Sequence, residues 1–188
     1  MFTILCWNLL AASLSKTREN FEQFSKRFID IENFINTIQY KNNPFDILCF
    51  AEVDEQYMDA RMEFLLPQLL DKTFSFDFWL PIYISKPKPV ADGYPKHGNL
   101  ILLRKDTVKL HGVFPLIFST DDDAQMNQIA QVLFLEVNKK KVILCFVHLK
   151  SGFGPNEATR LAQIQEIKKT LDSYEFFSNK VLLVGDFN

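Results

Sequence analysis

Four short apolar runs, each closing on an oxygen or imidazole donor, constrain this chain more than any other feature of its sequence. Thr3-Ile4-Leu5-Cys6-Trp7 ends in Asn8, and Ile47-Leu48-Cys49-Phe50-Ala51 ends in Glu52. Val142-Ile143-Leu144-Cys145-Phe146-Val147 ends in His148, and Lys180-Val181-Leu182-Leu183-Val184-Gly185 ends in Asp186-Phe187-Asn188. Runs of this length, rich in branched apolar residues, read as buried strands. Side chains alternate across a strand, so Asp186 and Asn188 are expected on one face and Phe187 on the other. Four buried strands that all finish in a donor imply one polar cluster at one sheet edge, and hence a site.

At 188 residues the chain suits a single domain, spanning 1–188, with a core able to stand alone. Its 19 phenylalanines point to thick core packing. A net charge of −2 argues against a protein that coats nucleic acid, which would be basic. It leaves open an enzyme that meets phosphate locally through a metal. Cys6, Cys49 and Cys145 are odd in number and fall in the strand-like runs, which argues against a disulfide framework and for a reducing, cytoplasmic compartment. Met1 to Leu14 imitates a signal-peptide core, with Ala11-Ala12-Ser13 as a mock cleavage site. It has no basic leader, and Asn8 interrupts it. No segment is long enough to span a membrane, and neither a membrane nor an obligate protein partner is expected.

Between the strands, Leu9 to Lys16 reads as a loop. From Arg18, the spacing of Phe21, Phe24, Phe28, Ile31, Ile35 and Ile38 predicts a helix that Asn42-Asn43-Pro44 stops. Tyr57, Met58, Met62, Leu65 and Leu69 predict a second helix, kinked at Pro67. Phe74 to Tyr83 is expected to form a strand and its turn. Ser85 to Lys96 is a proline-broken basic loop carrying Lys86, Lys88 and Lys96, and Leu100 to Leu103 is a further strand. Thr120 to Gln128 is an acidic, polar loop. Ile129 to Val137 and Lys141 to Val147 form a hairpin through Asn138-Lys139-Lys140. Glu157 to Leu171 predicts a helix with Leu161, Ile164, Ile167 and Leu171 along its apolar stripe. No repeat or linker divides the domain.

Magnesium needs oxygen ligands near ~2.1 Å and keeps several waters, so one or two carboxylates and a substrate phosphate suffice. Glu52, Asp186, Asn188 and Asn8 offer that chemistry, and no Cys/His spacing supports structural zinc. His148, titrating in the neutral range, suits hydrogen bonding to a phosphoryl oxygen or stabilisation of a leaving group. Taken singly, each residue has a plainer reading. Asn8 could begin a turn, Glu52 and Asp186 could be solvated strand ends, and His148 a structural histidine. Their coincidence at four strand ends favours the site. His97 and His111 show no such placement and are expected at the surface.

Trp7-Asn8-Leu9-Leu10-Ala11, Ala51-Glu52-Val53-Asp54, Val147-His148-Leu149-Lys150 and Gly185-Asp186-Phe187-Asn188 resemble the signature blocks of the endonuclease/exonuclease/phosphatase superfamily. Their order and spacing are similar to its deadenylase-like branch, nocturnin-type members most of all. Glu157-Ala158-Thr159-Arg160-Leu161-Ala162-Gln163 matches that branch's Glu-x-x-Arg-x-x-Gln pattern, and Gly98 and Gln131 also fit. The resemblance runs from Phe2 to Asn188. It implies a four-layer α/β/β/α sandwich and magnesium-dependent phosphoester cleavage, with manganese as a substitute ion. By residue, it implies that Glu52 binds metal and that Asn8 helps hold metal or phosphate. Asp186 would bind metal and orient or activate water, Asn188 would contact the scissile phosphate, and His148 would stabilise its developing charge. Lys150 and Arg160 would be phosphate contacts, although Arg160 equally suits a helix-surface ion pair with Glu157.

The chain departs from the pattern in three places. Ala51 replaces the usual glutamine, and Gly152 stands where nocturnin-like members carry arginine. Members of the superfamily continue past the equivalent of Asn188 with a second carboxylate and a second histidine, so a partial domain lacking the C-terminal part is expected. The function implied is 3′–5′ trimming of RNA by a deadenylase-type exonuclease. Removal of the 2′-phosphate of NADP(H) is the alternative, and a catalytically impaired chain that only binds nucleotide is the rival from another class. The partner expected is therefore an RNA 3′ end or a small phosphorylated nucleotide.

Overall fold

The structure is a computed structural model that describes residues 2–9, 21–38, 45–55, 79–87, 89, 96–119, 128–152, 154, 156–175, 177–178 and 180–188. Eight strands and two helices are described: β1 (Ile4–Asn8), α1 (Phe21–Ile38), β2 (Ile47–Asp54), β3 (Trp79–Ser85), β4 (His97–Arg104), β5 (Val108–Ile117), β6 (Ile129–Val137), β7 (Lys140–His148), α2 (Asn156–Asp172) and β8 (Val181–Asp186). The strands form two four-stranded sheets, ordered β1-β2-β4-β3 and β5-β6-β7-β8. Both are mixed. In the first, β1 runs parallel to β2, and in the second β7 runs parallel to β8, while the other pairings are antiparallel.

Strict alternation explains why the central strands are apolar throughout. Ile47, Cys49 and Ala51 of β2 and Ile101 and Leu103 of β4 face the second sheet, where they meet Leu133, Leu135, Leu144 and Phe146. The intervening Leu48, Phe50, Leu100 and Leu102 turn outward against Ile29 and Ile31 of α1. On the far side, Ala130, Val132, Ile143, Cys145 and Val147 face Ile167 and Leu171 of α2. A strand buried on both faces has no polar side. The result is the expected order of layers: helix, sheet, sheet, helix.

Several expectations change in detail. β5 carries no run that announced it, because Gly112 and Pro115 interrupt the pattern. It is an edge strand whose residues alternate between half-buried and exposed after the buried Val108, with a bulge between Leu110 and Gly112, and an edge tolerates proline. The β6–β7 hairpin turns in two residues, not three. Asn138 and Lys139 both have positive φ, 51° and 62°, as a type I′ turn requires, and Lys140 already belongs to β7. The apolar stripe of α2 loses Leu161, which is 58% exposed. Gln163 takes the inward position instead, with Ile167 and Leu171, because it bonds to the chain below.

The α1 side chains of Phe21, Phe24, Phe28, Ile35 and Ile38, the second predicted helix (57–69), residues 74–78, Lys88 and most of the loops at 9–16 and 120–128 lie outside the described residues. Among the described residues, no helix is long and apolar enough to cross a membrane.

Candidate functional site

The two parallel strand pairs stand across from each other in the sandwich, and their carboxyl ends close into a circuit. Asn8 is the register partner of Ala51, the residue before Glu52. His148 is the register partner of Asp186. Between the sheets, Asn8 Nδ2 donates to Asp186 Oδ2 at 3.0 Å, and His148 Nε2 stands 3.4 Å from Glu52 Oε1. Glu52 and Asp186 therefore share one edge of the molecule, as their strand ends predicted. A cavity of about 200 Å³ opens there, lined by Cys6, Asn8, Ala51, Gly185 and Asp186 among others.

Local backbone chemistry aims each group. The β2–β4 register slips between Phe50 and Val53, and Glu52 lies in the left-handed region with φ 58°. A non-glycine residue there costs about 1–3 kcal/mol and persists where the surroundings impose it. Tyr83 Oη donates to Val53 O at 3.0 Å, which ties the bulge to β3. Asp186 is fixed at both oxygens, since Asn188 N donates to Oδ1 at 3.0 Å while Asn8 holds Oδ2. Strand alternation does not seat Asn188. It lies beyond β8 with φ 56°, and its Nδ2 donates to Leu149 O at 3.0 Å.

The donor set fits a hard cation. Glu52 Oε2 is buried and accepts no hydrogen bond, and a carboxylate oxygen is costly to strand in this way. Among the described residues, no three His, Cys, Asp or Glu side chains could hold a metal by themselves. A cation here would rest on the Glu52 and Asp186 carboxylates, amide oxygen, water and substrate oxygens, which is the habit of magnesium rather than zinc.

The helix motif acts on backbone. Arg160 Nη1 donates to Lys150 O at 3.0 Å and Gly152 O at 2.7 Å, and Nη2 pairs with Glu157 Oε2 at 2.5 Å. Gln163 Oε1 accepts from Lys150 N at 3.1 Å. Arg160 and Gln163 thus clamp the segment that leaves β7. The ion pair with Glu157 is present, and the bonds drawn by Arg160 go to its own chain.

Two expectations about histidine are corrected. His148 does not titrate in the neutral range: burial, then the charge of Lys86, push its pKa down to about 4 against the pull of Asp186. It is a neutral imidazole at pH 7. His97 is not a surface residue. It is 2% exposed at the start of β4, and its O accepts from Lys86 N at 3.0 Å. Lys86, expected on a solvated basic loop, is itself 3% exposed beside it. Both residues were named from the sequence but their burial was missed, since nothing in a Lys-Pro-Lys-Pro segment distinguishes a buried lysine from a solvated one. His111 does lie at the surface, 3.3 Å from Glu136.

Burial, then Lys86, then His148 push the pKa of His97 down to about 3. In the unfolded chain it titrates near its ordinary 6.5, so between those values the unfolded state binds the extra proton. Stability is therefore expected to be greatest above pH 6.5 and to fall as acid is added, by up to about 1.4 kcal/mol per pH unit for this group. Urea unfolding at pH 7 and pH 5 should show a smaller difference for His97→Gln than for the parent chain. Equal differences would assign the proton uptake elsewhere.

Among curated proteins, no relative matches this chain. Its fold is similar to that of several solved structures. The human Nocturnin catalytic domain with bound sulfate anion superposes with a TM-score of 0.74 at 22% identity, covering 100% of this chain and 64% of that one. ANGEL2, described as a 2′,3′-cyclic phosphatase, gives 0.67 at 19%, covering 100% and 52%. TDP2 from Caenorhabditis elegans gives 0.67 at 18%, covering 100% and 47%. The chain thus spans less than two thirds of these proteins. A profile of the Endonuclease/Exonuclease/phosphatase family matches residues 5–188, from within β1 to the last residue, and the chain belongs to that family.

Proposed function

We propose that this chain is a divalent-cation-dependent phosphoric-ester hydrolase, acting on RNA as a 3′–5′ exonuclease of deadenylase type. The observation that carries the reading is the circuit Asn8–Asp186 and Glu52–His148 at one edge of the sandwich, with the stranded Glu52 oxygen inside it. Glu52, Asn8 and Asp186 would hold Mg2+, or Mn2+ in its place. When bound, the ion would supply neutralisation of charge at the phosphoryl oxygens. Asp186, held still by Asn8 and Asn188, orients the attacking water and accepts its proton. His148, uncharged at neutral pH, donates a hydrogen bond to a nonbridging oxygen as negative charge grows there. Asn188 contacts the scissile phosphate. Lys150 meets a substrate phosphate, and Arg160 acts through it by holding its backbone.

A second reading, phosphate removal from a small nucleotide such as NADP(H), is favoured by one observation. Lys86 is buried beside the site, so it does not lie along a loop that tracks a polymer backbone. With magnesium present, the chain is expected to shorten oligo(A) from its 3′ end, and EDTA to stop the reaction. Phosphate release from NADPH with oligo(A) left intact would favour the second reading. Turnover of neither would overturn both and leave a nucleotide-binding chain.

A further inference from the structure

We propose that Cys6 and Cys49 form an oxidisable dithiol on the wall of the site cavity, which hydrogen peroxide converts into a disulfide. The two residues are register partners in the parallel β1–β2 pair. Both face the core layer between the sheets, side by side on adjacent strands. Neighbouring strands lie about 4.8 Å apart. A disulfide spans Cα separations of roughly 4.4–6.8 Å, a range that includes this strand spacing. Cys6 is half-buried and lines the cavity, which gives a small oxidant access, while Cys49 is fully buried behind it. Cys145 has no such neighbour: it sits in the other sheet, in the core beneath α2.

The chemistry balances with peroxide as the only oxidant. The Cys6 sulfur attacks one peroxide oxygen, the O–O bond breaks, and Cys6 sulfenic acid forms as the departing hydroxide takes up a proton to become water. The Cys49 sulfur then attacks the Cys6 sulfur. The S–O bond breaks, and the leaving hydroxide takes the Cys49 proton as a second water. Two thiols give up two electrons to one peroxide. Free thiols at rest are what a reducing compartment maintains, and a pair that closes only under oxidant suits such a setting. Asn8 lies two residues along the same face of β1, so the modification falls beside the proposed cation ligands.

The test treats the folded 188-residue chain with hydrogen peroxide, quenches it, unfolds it and alkylates the remaining thiols. Of the three free cysteines, one, Cys145, should still be alkylated. A peptide joining Cys6 to Cys49 should appear, lighter by two hydrogens, and dithiothreitol should restore both thiols. In Cys49→Ser the reaction should stop at a Cys6 sulfenic acid that a 1,3-dione traps. Three alkylated cysteines after peroxide, loss of Cys145 in step with the others, or cross-linking only between chains would each overturn the proposal. The parent-chain measurement stands whether or not the variant folds.

Discussion

Replacing Glu52 with glutamine is expected to remove magnesium binding and to lower any hydrolysis by about a thousandfold, while leaving the fold at least as stable as before. The catalytic figure follows from magnitudes. A bound cation contributes several kcal/mol of charge stabilisation at a reacting phosphate, and about 1.4 kcal/mol is a factor of ten. The stability expectation follows from the site's geometry. Glu52 Oε2 is buried without a partner, and the residue's φ is 58°, so the parent chain holds a carboxylate under conditions that oppose folding. An amide of the same shape removes the buried charge and keeps the backbone. Calorimetric titration with Mg2+ or Mn2+, paired with thermal unfolding in EDTA, separates the two effects. Unchanged metal affinity in Glu52→Gln would remove the carboxylate from the site. A large fall in melting temperature would mean that Glu52 serves the fold instead.

The second large effect is expected at Gly185. Its φ is +136°, and a Cβ built there would come within 2.0 Å of Val147 O on the neighbouring strand. No side-chain rotation relieves a clash with backbone, so β7 and β8 would have to separate where His148 and Asp186 face each other. Gly185→Ala is therefore expected to cost about 3 kcal/mol or more. That corresponds to a fall of about 10 °C in melting temperature for a chain of this size. Gly154→Ala is the control. Its φ of +70° also favours glycine, yet nothing lies within 4 Å of the added atom, so a cost of about 1 kcal/mol is expected. Similar melting temperatures for the two variants would contradict the packing account of Gly185.

The two replacements probe different layers of what the sequence reveals. The ends of β2 and β7 were legible because burial on both faces demands unbroken apolar runs. β1 and β8 were expected to be buried too, but they are edge strands, half-buried in β1 and partly exposed at Val181 and Leu183 in β8. Their runs are apolar all the same. Where such a run stops at Asn8, Glu52, His148 or Asp186, the polar residue has nowhere to go but the edge. The core helices were legible for the same reason at a different period. β5 was hidden, since an edge strand interrupted by Gly112 and Pro115 satisfies its pairing on one side and needs no apolar run. Leu161 misled because its spacing suited the stripe, while Gln163 had a stronger claim to the buried side through its bond to Lys150 N.

Residue order alone determined which runs become strands and that oxygen and imidazole donors close four of them, because hydrophobic periodicity marks buried segments. The two-layered sheet sandwich was legible only through the resemblance of the motif blocks to a known family. Residue order also carried the Glu157, Arg160 and Gln163 pattern, whose purpose as a clamp on the 150–152 segment is a matter of hydrogen bonds across 8 to 13 residues. Packing decided the rest. Two parallel pairs from opposite ends of the chain had to meet before Asn8 could bond Asp186, 178 residues away. Burial, which no single residue announces, turned Lys86 and His97 inward and made His148 a neutral imidazole. Protonation and exposure depend on the dielectric and the charges that the neighbouring strand and helix supply, and those exist only once the sheets have closed on each other.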